Sequence, residues 1–165
     1  MIRLFKPNSV SNFFQKFILD DMQNNIHLIE MLKPYLKYLK HTLKNKNMPY
    51  PLVIFDVDGT LLEFGTNLSI QPVVDFYHQV KKLGYHTVVL TARTNQMKSI
   101  TIKSLKKYGI DDYDQIIFRP SIDMDAAQYK LAERKKLATS YEIVANVGDR
   151  MSDFYGGYNG KIVKI

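Results

Sequence analysis

From residue 51 onward the chain alternates short apolar runs with longer amphipathic ones, and this alternation constrains the fold more than any other feature. PLVIFDV opens the pattern, with a strand expected over 52–57, because Val53, Ile54, Phe55 and Val57 form the continuous β-branched and aromatic run typical of a buried parallel strand. A helix is expected over 72–83, ended by Gly84, and HTVVL makes the next strand over 86–90 with Thr91, Ala92 and Arg93 in its exit loop. A helix over 97–108 stops at Gly109; strands over 115–118, 142–147 and 161–165 and a helix over 126–139 complete the series. Such alternation implies an α/β fold: a Rossmann-like, doubly wound parallel sheet of about five strands, with ligands outside the carboxyl ends of the strands.

The stretch FDVDGTLL places Asp56 and Asp58 at such an end, followed at once by Gly59 and Thr60. Residues i and i+2 of a strand share a face, so the two carboxylates leave it close together, and their repulsion needs a positive group between them. Asp followed by Gly is also an ordinary turn signal, so this pair alone does not define a site. Further along, Thr91 follows the second strand, Lys130 lies near the start of a helix, and GDRMSD supplies Asp149 and Asp153 after the fourth strand.

In this order the residues resemble the haloacid dehalogenase superfamily. Its four motifs are an Asp-x-Asp pair, a Ser or Thr, a Lys or Arg, and a terminal acidic pair, and the resemblance covers 51–165. YKLAERKKL followed by YEIVANVGDRMSD looks like the acid-phosphatase branch (class B, or subfamily IIIB). The resemblance implies a phosphatase in which Asp56 attacks phosphorus to form an aspartyl-phosphate and Asp58 is the general acid and base. It further implies that Thr91 and Lys130 hold the non-bridging oxygens and that Gly59, Thr60, Ala92 and Arg93 contact substrate. Mg²⁺ would be held by Asp56, the backbone carbonyl of Asp58, Asp149, and Asp153 directly or through water; an all-oxygen site suits that ion. Lys135 and Lys136 are the alternatives to Lys130. Relatives in this branch commonly carry Glu where this chain has Gly59, and they are mostly exported.

Arg93 and Arg119 can each grip a substrate phosphate or carboxylate, or pair with a surface acid. His27, His41, His78 and His86 lack metal-ligand spacing and carry no assigned chemistry. The absence of cysteine excludes disulfides, thiolate metal sites and a cysteine nucleophile. Only 32 residues separate Asp58 from Thr91, and 38 separate Thr91 from Lys130, which leaves no room for a large cap domain. An open site admits small or macromolecular phosphorylated substrates. A polynucleotide 3′-phosphatase, a protein phosphatase acting on the RNA polymerase tail and a non-catalytic storage or phosphate-binding protein are the competing readings.

Residues 1–50 form a helical amino-terminal extension packed on the catalytic domain over 51–165. Arg3 and seven lysines stand there against Asp20, Asp21 and Glu30, whereas the remainder holds 15 basic and 13 acidic residues. Lys33, Lys37, Lys40, Lys44 and Lys46 make either a solvated face or an arm for nucleic acid. Ser11 is expected to cap the first helix and Pro34 to end or kink it, with a second helix over 34–44. Phe13, Phe14, Phe17, Ile18, Met22, Ile26, Leu28, Ile29 and Leu32 recur at helical spacing and require a surface to pack against. The basic start has neither a sustained apolar segment nor a cleavage signal, and nothing approaches membrane-spanning length, so a cytoplasmic location without membrane contact is expected. A mitochondrial presequence is the alternative. The oligomeric state is not legible.

Overall fold

The computed structural model describes residues 8–45 and 48–165, and the side chains of 15–44 and 48–165. Arg3, Lys6, Lys46 and the side chains of Ser11, Phe13 and Phe14 lie outside the described portion. The elements in chain order are α1 (Asn8–Asn45), β1 (Pro51–Phe55), α2 (Gln71–Lys82), β2 (His86–Thr94), α3 (Lys98–Lys107), β3 (Gln115–Arg119), α4 (Ala126–Leu137), β4 (Glu142–Gly148) and β5 (Lys161–Lys164). Single 3₁₀ turns over Asn95–Met97 and Met151–Asp153 precede α3 and follow β4.

The five strands form one parallel sheet in the order β3-β2-β1-β4-β5. Alternate residues of β1 feed two cores. Val53 and Phe55 pack with Val73, Tyr77 and Val80 of α2 and Leu105 of α3, while Leu52 and Ile54 pack with Val88, Leu90, Tyr129 and Leu137 on the α4 side. Because β1 pairs with β2 on one edge and β4 on the other, the connections diverge there and open a crevice at the carboxyl ends of β1 and β4. No inserted domain covers that crevice among the described residues.

β2 is longer than the sequence suggests. Its pairing with β3 breaks after Thr91↔Phe118 and resumes at Thr94↔Arg119, so Ala92 and Arg93 fall inside the strand as an irregularity rather than in an exit loop. β1 in turn stops at Phe55: the backbone N–H of Asp56 still donates to Val147 O at 2.9 Å, and the chain turns from Val57 onward.

The expected two-helix extension is instead one helix, α1, running through Pro34. Proline removes the bond to the carbonyl of Glu30, but both residues face solvent, where water can satisfy that carbonyl. On the opposite side Leu32 and Leu39 are buried, with Leu36 and Leu43 packed beside them, and the Tyr85 hydroxyl donates to Leu39 O at 2.9 Å. This packing on both sides of the proline overrides its local preference. Ser11 lies within the helix, which begins at Asn8, and so is not its cap. The expected packing holds at Leu32 and fails earlier: Phe17, Ile18, Met22, Ile26 and Ile29 are exposed. At 1.5 Å per residue α1 is about 57 Å long and its partner α2 about 18 Å, so α2 cannot cover it. Lys33, Lys37, Lys40 and Lys44 line the solvent side. No helix among the described residues is long and apolar enough to cross a membrane.

Asp114 fixes the entry to β2. Its carboxylate accepts from the Thr87 N–H at 2.7 Å and from His86 Nδ1 at 2.6 Å, and Lys81 Nζ stands 3.5 Å away. Partial burial alone would raise its pKa, but these partners outweigh it and hold the carboxyl below the usual range. A depressed folded pKa contributes stability above the unfolded value and loses it as pH falls through the folded one. Asp114→Ala is expected to lower the unfolding free energy by roughly 1–3 kcal/mol at neutral pH, with the gap to wild type narrowing as pH falls below the carboxylate range. Urea denaturation at a series of pH values measures both effects.

Candidate active site

Asp56 leaves the end of β1 into a tight turn, in which Leu62 and Thr60 N–H donate to Val57 O at 2.9 and 3.3 Å and Gly59 N–H donates to Leu62 O at 2.7 Å. Gly59 has φ +73°, and a Cβ there would collide with the Asp149 carboxylate, so this position accepts only a residue without a side chain unless Asp149 moves. Asp56 and Asp149 thereby approach one another across the crevice.

Lys130 in α4 is 3% exposed and reaches both ends of that crevice: Nζ stands 2.5 Å from Asp56 Oδ1 and 2.5 Å from Asp153 Oδ1. Asp125 caps α4 by accepting from Gln128 N–H at 2.8 Å, placing Lys130 in the helix's early turns. The rival lysines lie elsewhere, Lys136 beside Glu133 at 2.6 Å and Lys135 over the Tyr158 ring.

Asp58 stands beside Asp56, and both its oxygens are taken by Arg93, with Nη2 at 2.7 Å from Oδ1 and Nε at 2.9 Å from Oδ2. Arg93 also donates to Thr101 Oγ1 in α3 at 3.0 Å, so the irregularity in β2 aims its guanidinium at the end of β1. Thr91 is fully buried, and its Oγ1 accepts from Arg93 N–H at 3.1 Å.

A frame of buried polar groups that the sequence did not assign holds the loop after β4. Arg134, fully buried, donates from Nη1 to Asp153 O at 2.6 Å, from Nε to Gly157 O at 3.1 Å and from Nη2 to Tyr155 O. Asn146 donates to Asp153 O at 2.7 Å and to Asn159 Oδ1 at 2.9 Å, and Asn159 donates to Phe154 O at 2.8 Å. The signals were an asparagine inside the apolar run EIVANV and an arginine one turn after Lys130.

Ligand oxygens of Asp56, Asp149 and Asp153 lie within 4.8 Å of one another. Burial raises the Asp56 carboxyl against the pull of Lys130, with Asp153 adding to the rise; burial and Asp153 likewise raise Asp149. Burial alone would lower Lys130, but Asp56 and Asp153 outweigh it and hold its ammonium above the ordinary value. Three carboxyl groups thus share a single ammonium. Asp149 Oδ1 is buried without a hydrogen-bond partner. An all-carboxylate cluster with an orphaned oxygen fits a hard divalent cation.

A cleft of about 390 Å³ opens over these groups; of the residues expected at the site, Asp56, Asp58, Ala92, Arg93, Lys130 and Asp153 line it, with Arg119, Phe64, Met97 and Arg150 around them. Thr60 and Thr91 are fully buried behind its wall, and Gly59 supports the turn against Asp149.

A doubly wound sheet with this carboxylate and lysine constellation at its switch point has clear relatives. Residues 63–165 match the model of HAD superfamily subfamily IIIB (acid phosphatase), and the chain belongs to that family. Asp56 and Asp58 precede the matched stretch. Acid phosphatase 1 of Solanum lycopersicum is 30% identical over 62% of this chain and 51% of its own length. The stem 28 kDa glycoprotein of Glycine max is 34% identical over 68% and 56%. The chain thus spans about half the length of these curated relatives. Among solved structures, the Pnkp1/Rnl/Hen1 complex matches with a TM-score of 0.63 at 23% identity, over 73% of this chain and 47% of that one. The class C acid phosphatase of Bacillus anthracis with tungstate bound matches with 0.60 at 18%, over 80% and 64%, and both likenesses are of fold.

Arg134→Met keeps much of the side chain's bulk and removes all three donors. It is expected to lower stability by roughly 3 kcal/mol, because buried carbonyls lose their charge-assisted partners. Thermal unfolding monitored by circular dichroism measures the loss.

Proposed function

We propose that the chain is a Mg²⁺-dependent phosphomonoesterase that works through an aspartyl-phosphate on Asp56. The observation that carries this reading is the buried Asp56–Lys130–Asp153 cluster, with the orphaned Asp149 oxygen beside it, at the floor of a cleft that also presents Asp58. Asp56, Asp149 and Asp153, with the Asp58 carbonyl, would hold the cation, which supplies charge neutralisation at the phosphoryl group.

An Asp56 carboxylate oxygen forms a bond to phosphorus as the bond to the leaving oxygen breaks, and Asp58 gives that oxygen a proton. Asp58 then takes a proton from the water that cleaves the acyl phosphate, returning Asp56 as a carboxylate. Lys130, held by two carboxylates, stands where it can meet non-bridging oxygens without reorganising. Both Asp58 oxygens are engaged by Arg93, so each proton transfer requires one of those bonds to open. The uncovered crevice supports small and macromolecular phosphate esters alike, and the lysine face of α1 supports a nucleic-acid partner.

A storage role is the second reading, since vegetative storage protein 2 of Arabidopsis thaliana is 23% identical over 96% of this chain and 70% of its own length. Asp56, Asp58, Asp153 and the buried Lys130 in one cleft, with Asp149 beside Asp56 and Asp153, favour catalysis.

Asp56→Asn is expected to abolish hydrolysis of 4-nitrophenyl phosphate while the circular dichroism spectrum is kept; substantial turnover would remove Asp56 from the nucleophile role. Chelation with EDTA should stop activity and Mg²⁺ restore it, with metal-independent turnover contradicting the cation's part.

Asp58→Asn should slow phosphoryl release from alkyl esters roughly 10²-fold or more and from nitrophenyl esters less, because an acidic leaving group needs little proton donation. Single-turnover measurements compare the two, and equal losses would deny Asp58 the acid's role.

A further inference from the structure

We propose that Arg119 forms a subsite for a second anionic group, so that the cleft favours phosphomonoesters bearing a further carboxylate or phosphate. The inference rests on the phosphatase reading only for the identity of the first group.

The cations around the cleft differ in one respect. Lys130 is neutralised by Asp56 and Asp153, and Arg93 by both oxygens of Asp58. Arg150 stands 3.7 Å from Asp149 and lies over the Phe64 ring. Arg119, the last residue of β3, is 9% exposed and has no carboxylate within salt-bridge distance among the described residues. Its Nη1 donates to Met124 O at 3.0 Å, while Nε is buried without an acceptor. The Tyr129 hydroxyl, near enough to feel the guanidinium's charge, is also buried without a partner.

Keeping a guanidinium from water without a counter-ion is costly, and a fold that retains one beside a cleft leaves the pairing to whatever enters. The planar fork suits a carboxylate or a phosphate, both of which it grips through two parallel bonds. Its position separates it from the reacting group. β3 lies two strands from β1, about 10 Å across the sheet between backbones, so the subsite is reached by a ligand that extends along the cleft from Asp56.

The test uses phosphonates, whose carbon–phosphorus bond resists hydrolysis, so that binding is read whether or not turnover occurs. Calorimetry with Mg²⁺ compares ω-carboxyalkyl phosphonates and α,ω-alkane bisphosphonates of increasing length with ω-hydroxyalkyl phosphonates of the same lengths. Wild type is expected to prefer a dianionic-ended ligand by about tenfold or more at one length or a narrow range of lengths. The carboxylate and bisphosphonate arms show which anion is taken. In Arg119→Gln the preference should fall toward one, and in Arg119→Lys, which keeps the charge without the fork, a part should remain.

No preference in wild type at any length overturns the proposal without recourse to a variant. A preference that survives in Arg119→Gln overturns it too, as does equal weakening of charged and neutral ligands, which would place Arg119 on the phosphonate end itself. Hydrolysis of 4-nitrophenyl phosphate is measured alongside. Turnover without the preference discards the subsite alone, and the preference without turnover discards the catalytic reading alone.

Discussion

The Lys130 ammonium between the carboxylates of Asp56 and Asp153 is the contact on which the arrangement depends, because it joins three otherwise separate parts of the chain. Asp56 belongs to the end of β1, Lys130 to α4 and Asp153 to the loop after β4. Buried charges are tolerated only when paired, so the position of α4 over the sheet and the course of the loop are specified together. Asp149 is left outside this pairing, its carboxylate against the Gly59 turn and its Oδ1 without a partner. Structure and chemistry meet at that remainder, since the surplus of carboxyl groups over the single ammonium is what suits the cluster to a hard divalent cation.

The rest of the fold keeps these groups from relaxing apart. Arg134 directs its donors to the carbonyls of three alternate residues around the loop, Asp153, Tyr155 and Gly157, and Asn146 and Asn159 close the same frame from β4 and the approach to β5. On the other flank the irregularity in β2 gives Arg93 a direction that a regular strand would deny it. Both devices hold charged side chains by fixed protein groups rather than by mobile solvent, the preorganisation that electrostatic stabilisation requires.

Sheet, helix order and the acid-rich loops were legible because each depends on local pattern: apolar runs, stop glycines and the chain order of Asp56, Asp58, Thr91, Lys130, Asp149 and Asp153. What was not legible depends on partners distant in sequence. Pro34 misled because the leucines that carry α1 through it draw their effect from α2. Whether Arg93 or Arg119 has a carboxylate is a property of the assembled sheet, and the two residues gave opposite answers. Arg134 stood within a motif that could be quoted, but its carbonyl partners lie 19 to 23 residues away.

One further consequence follows from the length of α1. Residues 15–24 are exposed on every side, and burial begins in earnest only at Leu32. A helical stretch without tertiary contacts has only its own hydrogen bonds, and a short one is marginal in water. The element is thus a single body in geometry and two in thermodynamics: its carboxyl-terminal part shares the cooperativity of the sheet, while residues 15–24 can open at little cost. Amide exchange should change steeply along one unbroken helix, and unwinding over residues 15–24 should leave the carboxylates of the crevice undisturbed.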